Sequence, residues 1–277
     1  MISALQKLED GTIKLDITIS SATVKKTREE VINDSVKNAD VSGFRKGKAP
    51  KNLVEEKIDE EKVKEEVLKK LLPQSYTEAV KENQIKPIIN PKIHIHPDSI
   101  KDNEDWKFTA FTSEVPQVDL DSYKENIQKI TAKTKIVVPG KEQQSPSFEE
   151  IMKTLLESVK VTIPKILVEG EVERLLSQSL DEIKKLGLTL DQYLLSTGRT
   201  PETLRGEYEK KAENDIKLEF TLQKIAEAEN ITVDEKEVEE AIIKAKDDKE
   251  RKNLENNRYL LTSILRQQKT LDFLKNL

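Results

Sequence analysis

From Phe148 to Leu277 the apolar side chains recur at helical spacing almost without interruption, and this run limits the possible folds more than any other feature. Val168, Val172, Leu175, Leu176, Ile183 and Leu186 share one stripe that opens after Pro164 and closes at Gly187. A short helical piece follows around LDQYLLS. Thr200-Pro201 is a start signal, a capping hydroxyl before a first-turn proline, for a helix predicted to about Glu229. That helix is apolar around much of its circumference, which suits the centre of a helical domain. Asp234 and Glu237 form a D-x-x-E capping box, and one last helix is predicted to reach the C-terminus through Leu254, Leu261, Ile264 and Leu274. Long helices joined by short loops cannot hide every apolar side, so some should stay exposed on concave surfaces.

The first part of the chain follows other periods. Residues 12–20, TIKLDITIS, alternate strictly and read as a half-buried strand, with Ile13, Leu15, Ile17 and Ile19 on one face. Helical pattern begins near Ser21, breaks at Gly43 and resumes after Pro50. Between Ile85 and Val115 the pattern is β again, punctuated by Pro87, Pro91 and Pro97; Trp106, Phe108 and Ala110 share a face that Phe111 does not. Residues 116–147, with Pro116, Pro139, Gly140 and Pro146, read as an extended linker. The expected class is therefore α+β. A small α+β domain (1–115) is joined by the linker (116–147) to an all-helical domain (148–277). Charged residues make up 36% of the chain and hydrophobic ones 35%, against roughly 25% and 45–50% in an average domain, so the helical part is expected to be elongated.

Several function classes fall away. No run approaches the ~18 consecutive apolar residues of a membrane span, and no secretory signal is read at the N-terminus. Cysteine is absent, which removes thiol nucleophiles and cysteine-ligated zinc. A net charge of −5 disfavours coating nucleic acid along the whole length, so any such contact must be local. These features together point to a reducing cytoplasm. His94 and His96 alternate on one strand face, but no third metal ligand is indicated, and no Ser-His-Asp set or nucleotide loop is present. No catalytic residue, metal or cofactor is expected.

The sharpest motif is Gly43-Phe44-Arg45-Lys46-Gly47-Lys48-Ala49-Pro50. Two of the eight glycines bracket a phenylalanine among cations, with no acid between Val41 and Val54. Such a segment offers one apolar anchor ringed by positive charge to RNA backbone or to an acidic protein patch; an ordinary basic turn between helices is the bland alternative.

GFRKGKAP, placed between two helices after an alternating strand, resembles the ribosome-docking signature of bacterial trigger factor. VTIPKILVEGEVERLL, the stretch from LGLTLDQYLLSTGRTPETL to VDEKEVEEAI, and the closing KTLDFLKNL are similar to the helical domain of that family. The resemblance covers about residues 10–115 and 148–277. It implies an ATP-independent chaperone that docks near the ribosomal exit through Gly43, Phe44, Arg45, Lys46, Gly47 and Lys48. Its partners would be a large-subunit protein with nearby RNA, and nascent or unfolded polypeptides held on apolar surfaces within 148–277. A weak homodimer is also implied. The family usually carries a peptidyl-prolyl isomerase domain between the two parts. Here only some thirty residues join them, too few for a domain with its own core, so isomerase activity is not expected. The alternative reading is a helical holding chaperone or adaptor that works without the ribosome.

Overall fold

The computed structural model describes residues 2–38, 59–96, 99–101, 103–135 and 147–277. The chain divides into two compact units, 1–115 and 116–277.

In the first unit, β1 (Ile2–Lys7), β2 (Ile13–Ile19), β3 (Lys92–Ile95) and β4 (Trp106–Thr112) form one antiparallel sheet in the order β1-β2-β4-β3. The alternation of β2 fixes which face is covered. Ile13, Leu15, Ile17 and Ile19 are buried, and on β4 their neighbours Ala110, Phe108 and Trp106 are buried with them, in register Leu15↔Ala110, Ile17↔Phe108 and Ile19↔Trp106. Helices α1 (Ser21–Asn38) and α2 (Glu60–Glu82) supply the other wall through Val24, Val31, Ile32, Val63, Val67 and Leu71. Strand β1 has no counterpart in the sequence reading. None of its residues is buried, so no alternation marks it. The turn at Asp10-Gly11 positions it. Gly11 adopts φ +85°, Asp10 accepts from the Thr12 backbone N–H at 3.0 Å, and Leu8 N–H donates to Thr12 C=O at 2.8 Å.

The second unit holds α3 (Tyr123–Lys135), α4 (Phe148–Ser158), α5 (Lys165–Lys185), α6 (Leu190–Thr197), α7 (Pro201–Ala228), α8 (Glu235–Ile243), α9 (Asp248–Asn256) and α10 (Arg258–Asn276). Its one ribbon pairs β5 (Val118–Asp119) with β6 (Lys160–Val161). Capping boxes start α4 at Ser147, α6 at Thr189, α7 at Thr200 and α8 at Asp234, so most helix starts follow from the local sequence. Helix α7 is the central one, packing on α5 through Ala212 and on α4 and α10 through Leu222 and Ile225.

Two expectations need correction. The stretch 116–147 is not an extended linker where it is described: β5 and α3 belong to the helical unit. Tyr123 and Ile127 of α3 are buried against Ile151, Leu155, Ile225 and Leu274. The apolar spacing Leu120, Tyr123, Ile127, Ile130 is helical, and the flanking prolines hide it. Residues 136–146 of that stretch lie outside the described residues. The single helix predicted for the C-terminus is two, α9 and α10, divided at Asn257 (φ −118°).

Candidate functional site

Gly43, Phe44, Arg45, Lys46, Gly47 and Lys48 all lie outside the described residues. The structure does show what the segment is tied to. It leaves α1 at Asn38 and enters α2 at Asp59, whose carboxylate caps the helix by accepting from Glu61 N–H at 3.1 Å. The two helices are packed through their valines and leucines and are also tied by charge. Arg28 donates to both oxygens of Glu60 at 2.7 and 2.6 Å, and Lys70 meets Asp34 at 3.2 Å. The Lys70 ammonium, with help from Lys37, holds the Asp34 carboxyl below its ordinary range. Exposed pairs of this kind add little stability, so the buried valines and leucines carry the contact between the helices.

The helical unit presents the other candidate surface. Around the α5–α6 turn, Leu186 is 73% exposed and Leu195 83%, with Leu188 and Leu190 also exposed. The local sequence explains this. Gly187 (φ +74°) ends α5, Thr189 restarts the chain as α6, and a helix of 8 residues buries only Leu194. A second exposed group comprises Ile243 at the end of α8 and Tyr259, Leu260 and Ile264 on α10; Tyr259 is 91% exposed. Beside it, a cleft of about 370 Å³ lies between α7 and α10, with Leu222 and Ala226 on one wall, Leu260 and Thr270 on the other, and Glu219 and Arg266 among its lining residues. Another cleft, of about 420 Å³, runs between α5 and α7 beside Val168 and Val172 and is rimmed by Lys165, Glu169, Arg205 and Glu209. Apolar patches broken up by ionised groups can hold apolar segments without imposing a fixed order on them. Sequence reading placed apolar surfaces somewhere in 148–277 without choosing residues. The signal was present in LGLTLDQYLLS, five leucines in eleven residues around Gly187, a piece too short to bury them.

The end of α7 is fastened by a polar cluster. The buried Tyr123 hydroxyl donates to Glu229 Oε1 at 3.0 Å, and Lys124 Nζ approaches the same oxygen at 2.7 Å. Burial, then the adjacent carboxylate, pushes the Tyr123 phenol up; the Lys124 ammonium holds the Glu229 carboxyl down. Among the described residues no group of three or more His, Cys, Asp or Glu is placed to hold a metal, and the His94 ring packs edge-on against Phe111 at 5.3 Å. No described helix is long and apolar enough to cross a membrane.

With this geometry in hand, comparison with known proteins is direct. The family described as bacterial trigger factor protein matches residues 1–143, and its C-terminal counterpart matches 119–276; the two matches overlap, so no stretch lies between them. The trigger factor of Natranaerobius thermophilus is 31% identical over 124 residues, 45% of this chain but 27% of the relative. That of Bacillus cytotoxicus is 35% identical over 124 residues, 45% of this chain and 29% of its own length. The chain thus matches little more than a quarter of those relatives. With the Shouchella clausii trigger factor, identity is 21% over 390 residues, covering 89% of each; that alignment exceeds this chain in length, so the relative has residues this chain lacks. A solved structure from work on promiscuous substrate recognition by the trigger factor chaperone shares the fold, with TM-score 0.65 and 14% identity over 99% of both chains. On the strength of two family matches that between them span residues 1–276, this chain belongs to the bacterial trigger factor family.

Proposed function

We propose that the chain is a cytoplasmic chaperone that docks beside the ribosomal exit through Gly43–Lys48 and holds nascent or unfolded polypeptides on its helical unit without ATP. The observation that carries this reading is the pair of exposed apolar groups, Leu186–Leu195 on the α5–α6 turn and Tyr259–Ile264 on α10, set among charged side chains. Family membership supports it, because the relatives are trigger factors. Weak, order-independent contacts release a client once it buries its own apolar surface, so no nucleotide cycle is needed. The docking segment supplies a separate, salt-sensitive anchor, its cations facing the anionic surface of the large subunit and nearby RNA. The same reading treats the chain as a non-enzyme, since the two family segments adjoin with no isomerase domain between them.

Ribosome co-sedimentation tests the docking half. Replacing Phe44, Arg45 and Lys46 together with Ala should abolish association at low salt while shifting stability by under ~0.5 kcal/mol. Co-sedimentation of the triple variant at the wild-type level would refute the assignment. In that case protection of clients without ribosomes would leave the stand-alone holding chaperone as the reading.

A further inference from the structure

The two outer strands of the N-terminal sheet are finished differently. Strand β3 has 4 residues between Pro91 and Pro97, which suits an edge closed to further pairing. Strand β1 has 6 residues, ISALQK, with no proline, and its register with β2 runs unbroken from Ile2↔Thr18 to Lys7↔Ile13. It leaves Ile2 73% and Leu5 36% exposed. The hairpin fixes which way its backbone faces. Leu8 N–H donates to Thr12 C=O at 2.8 Å, so Leu8 directs its amide at β2. By the alternation of an antiparallel pair, Gln6, Ala4 and Ile2 do the same. The N–H and C=O groups of Ser3, Leu5 and Lys7 then point away from β2, on the side where no further strand of the sheet follows.

We propose that this edge pairs with β1 of a second copy of the chain, antiparallel, about a two-fold axis through Leu5. An axis normal to the sheet keeps the helix-covered faces of both copies on one side, so facing residues share parity. With Leu5 facing its own counterpart, Ser3 faces Lys7 on either side, and every outward residue meets another outward residue. Each of these pairs exchanges both of its backbone bonds. On the other face the same register sets exposed Ile2 against Leu8, so both exposed apolar residues of the strand gain apolar neighbours. Charge selects this register over those beside it. The Ser3 hydroxyl donates to Glu82 Oε2 at 3.1 Å, so the Lys7 arriving opposite Ser3 comes beside that carboxylate. An axis at Lys7 would set two lysines face to face, and an axis at Ser3 would bring two Glu82 carboxylates together. Lys7 meets Glu114 of its own copy at 3.2 Å, and an ammonium with three donors can serve a second carboxylate. Two short strands bury less than the ~1,200 Å² of a stable complex, so the dimer exchanges with the monomer. The proposal depends neither on ribosome docking nor on client holding.

The chain has no cysteine, so Leu5→Cys gives it a single thiol, placed on the axis. A hydrogen-bonded antiparallel pair holds its Cα atoms ~5.5 Å apart, within the span of a disulfide. Mild oxidation of the full chain should therefore link Leu5→Cys into a dimer on a non-reducing gel. Linking should be at least about tenfold faster than for Lys7→Cys, whose two copies stand about 14 Å apart in this register. Sedimentation of the unmodified chain over about two decades of concentration should show a dimer growing with concentration. Leu5→Pro removes an N–H on the free edge and no bond to β2, so it should weaken that dimer at least about tenfold while Trp106 emission stays at wild type. The cysteine comparison decides the matter however Leu5→Pro folds. A monomer at every concentration, equal linking of the two cysteine variants, or a wild-type dimer in folded Leu5→Pro would each overturn the proposal. So would a Leu5→Cys chain that does not link but is shielded from a maleimide by an unfolded polypeptide, which would make an extended client the occupant of this edge.

Discussion

In the N-terminal unit a sheet and two helices direct their apolar residues into one continuous cluster, from Ile13 on β2 to Leu71 on α2 and Trp106 on β4. In the helical unit the buried residues fall into separate groups: one around Tyr123, Ile151, Ile225 and Leu274, a small one at Val172 and Ala212, and another at Val238, Ile242 and Leu261. A sheet face gathers alternate residues from several strands onto one plane, so a helix pair can cover them all. A helix presents a stripe, and a helix packed on one neighbour leaves part of its stripe uncovered. The large exposed hydrophobic residues accordingly concentrate in the helical unit, at Leu186, Leu195, Tyr259 and Leu260. Among the described residues the first unit leaves fewer large apolar side chains exposed, Ile2 and Val115 foremost, than the helical unit does.

The sharpest way to break this contrast is at the boundary of the helical unit. If α3 belongs to its main cluster, a fragment 148–277 lacks Leu120, Tyr123, Ile127 and Ile130, while 116–277 retains them. At about 1.5–3 kcal/mol for each fully buried apolar side chain, the shorter fragment should be several kcal/mol less stable in urea, or fail to fold. Equal stability of the two fragments would return 116–147 to the role of a linker.

Next in size is the single core of the first unit. Leu15, fully buried opposite Ala110, should cost about 2–5 kcal/mol when changed to Ala. Trp106, the one tryptophan, is buried in that same core, so its fluorescence reports this unit. The loss should appear as a lower urea midpoint in tryptophan emission. A midpoint shift equivalent to less than 1 kcal/mol would mean that the cluster is not continuous.

A smaller effect separates the polar fastening of α7 from the apolar core. Tyr123→Phe removes one donor to Glu229 and should cost about 1 kcal/mol in the helical unit, followed by circular dichroism at 222 nm. The pH dependence has two signs. The Glu229 carboxyl is held below its ordinary 4.5, so its contribution is present above that value and is lost as pH falls through the lowered one. The Tyr123 phenol is raised, so its contribution is complete below the ordinary 10.0 and declines as pH rises beyond it. Tyr123→Phe should abolish the alkaline decline and leave most of the acid one, since Lys124 still faces Glu229; an unchanged alkaline limb would refute the pairing.

How much of this was legible beforehand depends on where the information lies. Period is written in the side chains, so β2 is visible from the alternation Ile13 to Ile19 and α5 from the stripe Val168 to Leu186, while Thr200-Pro201 and Asp234 with Glu237 mark the starts of α7 and α8. Strand β1 is held by backbone pairing and the Asp10-Gly11 turn, with no buried side chain of its own, and leaves no period to find. Helix α3 shows its stripe only at Tyr123, Ile127 and Ile130, among four lysines and Glu125, and the prolines on either side of it obscure it further. The division of the C-terminal helix at Asn257 has neither glycine nor proline to announce it. Motif residues 43–48 stood out for charge and order, whereas the exposed leucines of α5–α6 become notable only once packing shows which of them remain uncovered.

The central claim is that the helical unit holds unfolded chains on the apolar residues its own packing leaves out. Light scattering of a denatured model protein, diluted with the full chain and no ATP, measures this directly. The variant to compare carries Leu186→Ser, Leu195→Ser, Tyr259→Ser and Leu260→Ser. All four positions are exposed, so each should shift stability within about 0.5 kcal/mol and the melting profile should stay close to wild type. The account predicts that wild type suppresses aggregation at modest molar excess and that this variant, equally folded, loses most of the protection. Full protection by the folded variant would contradict it and move the client surface elsewhere in the molecule.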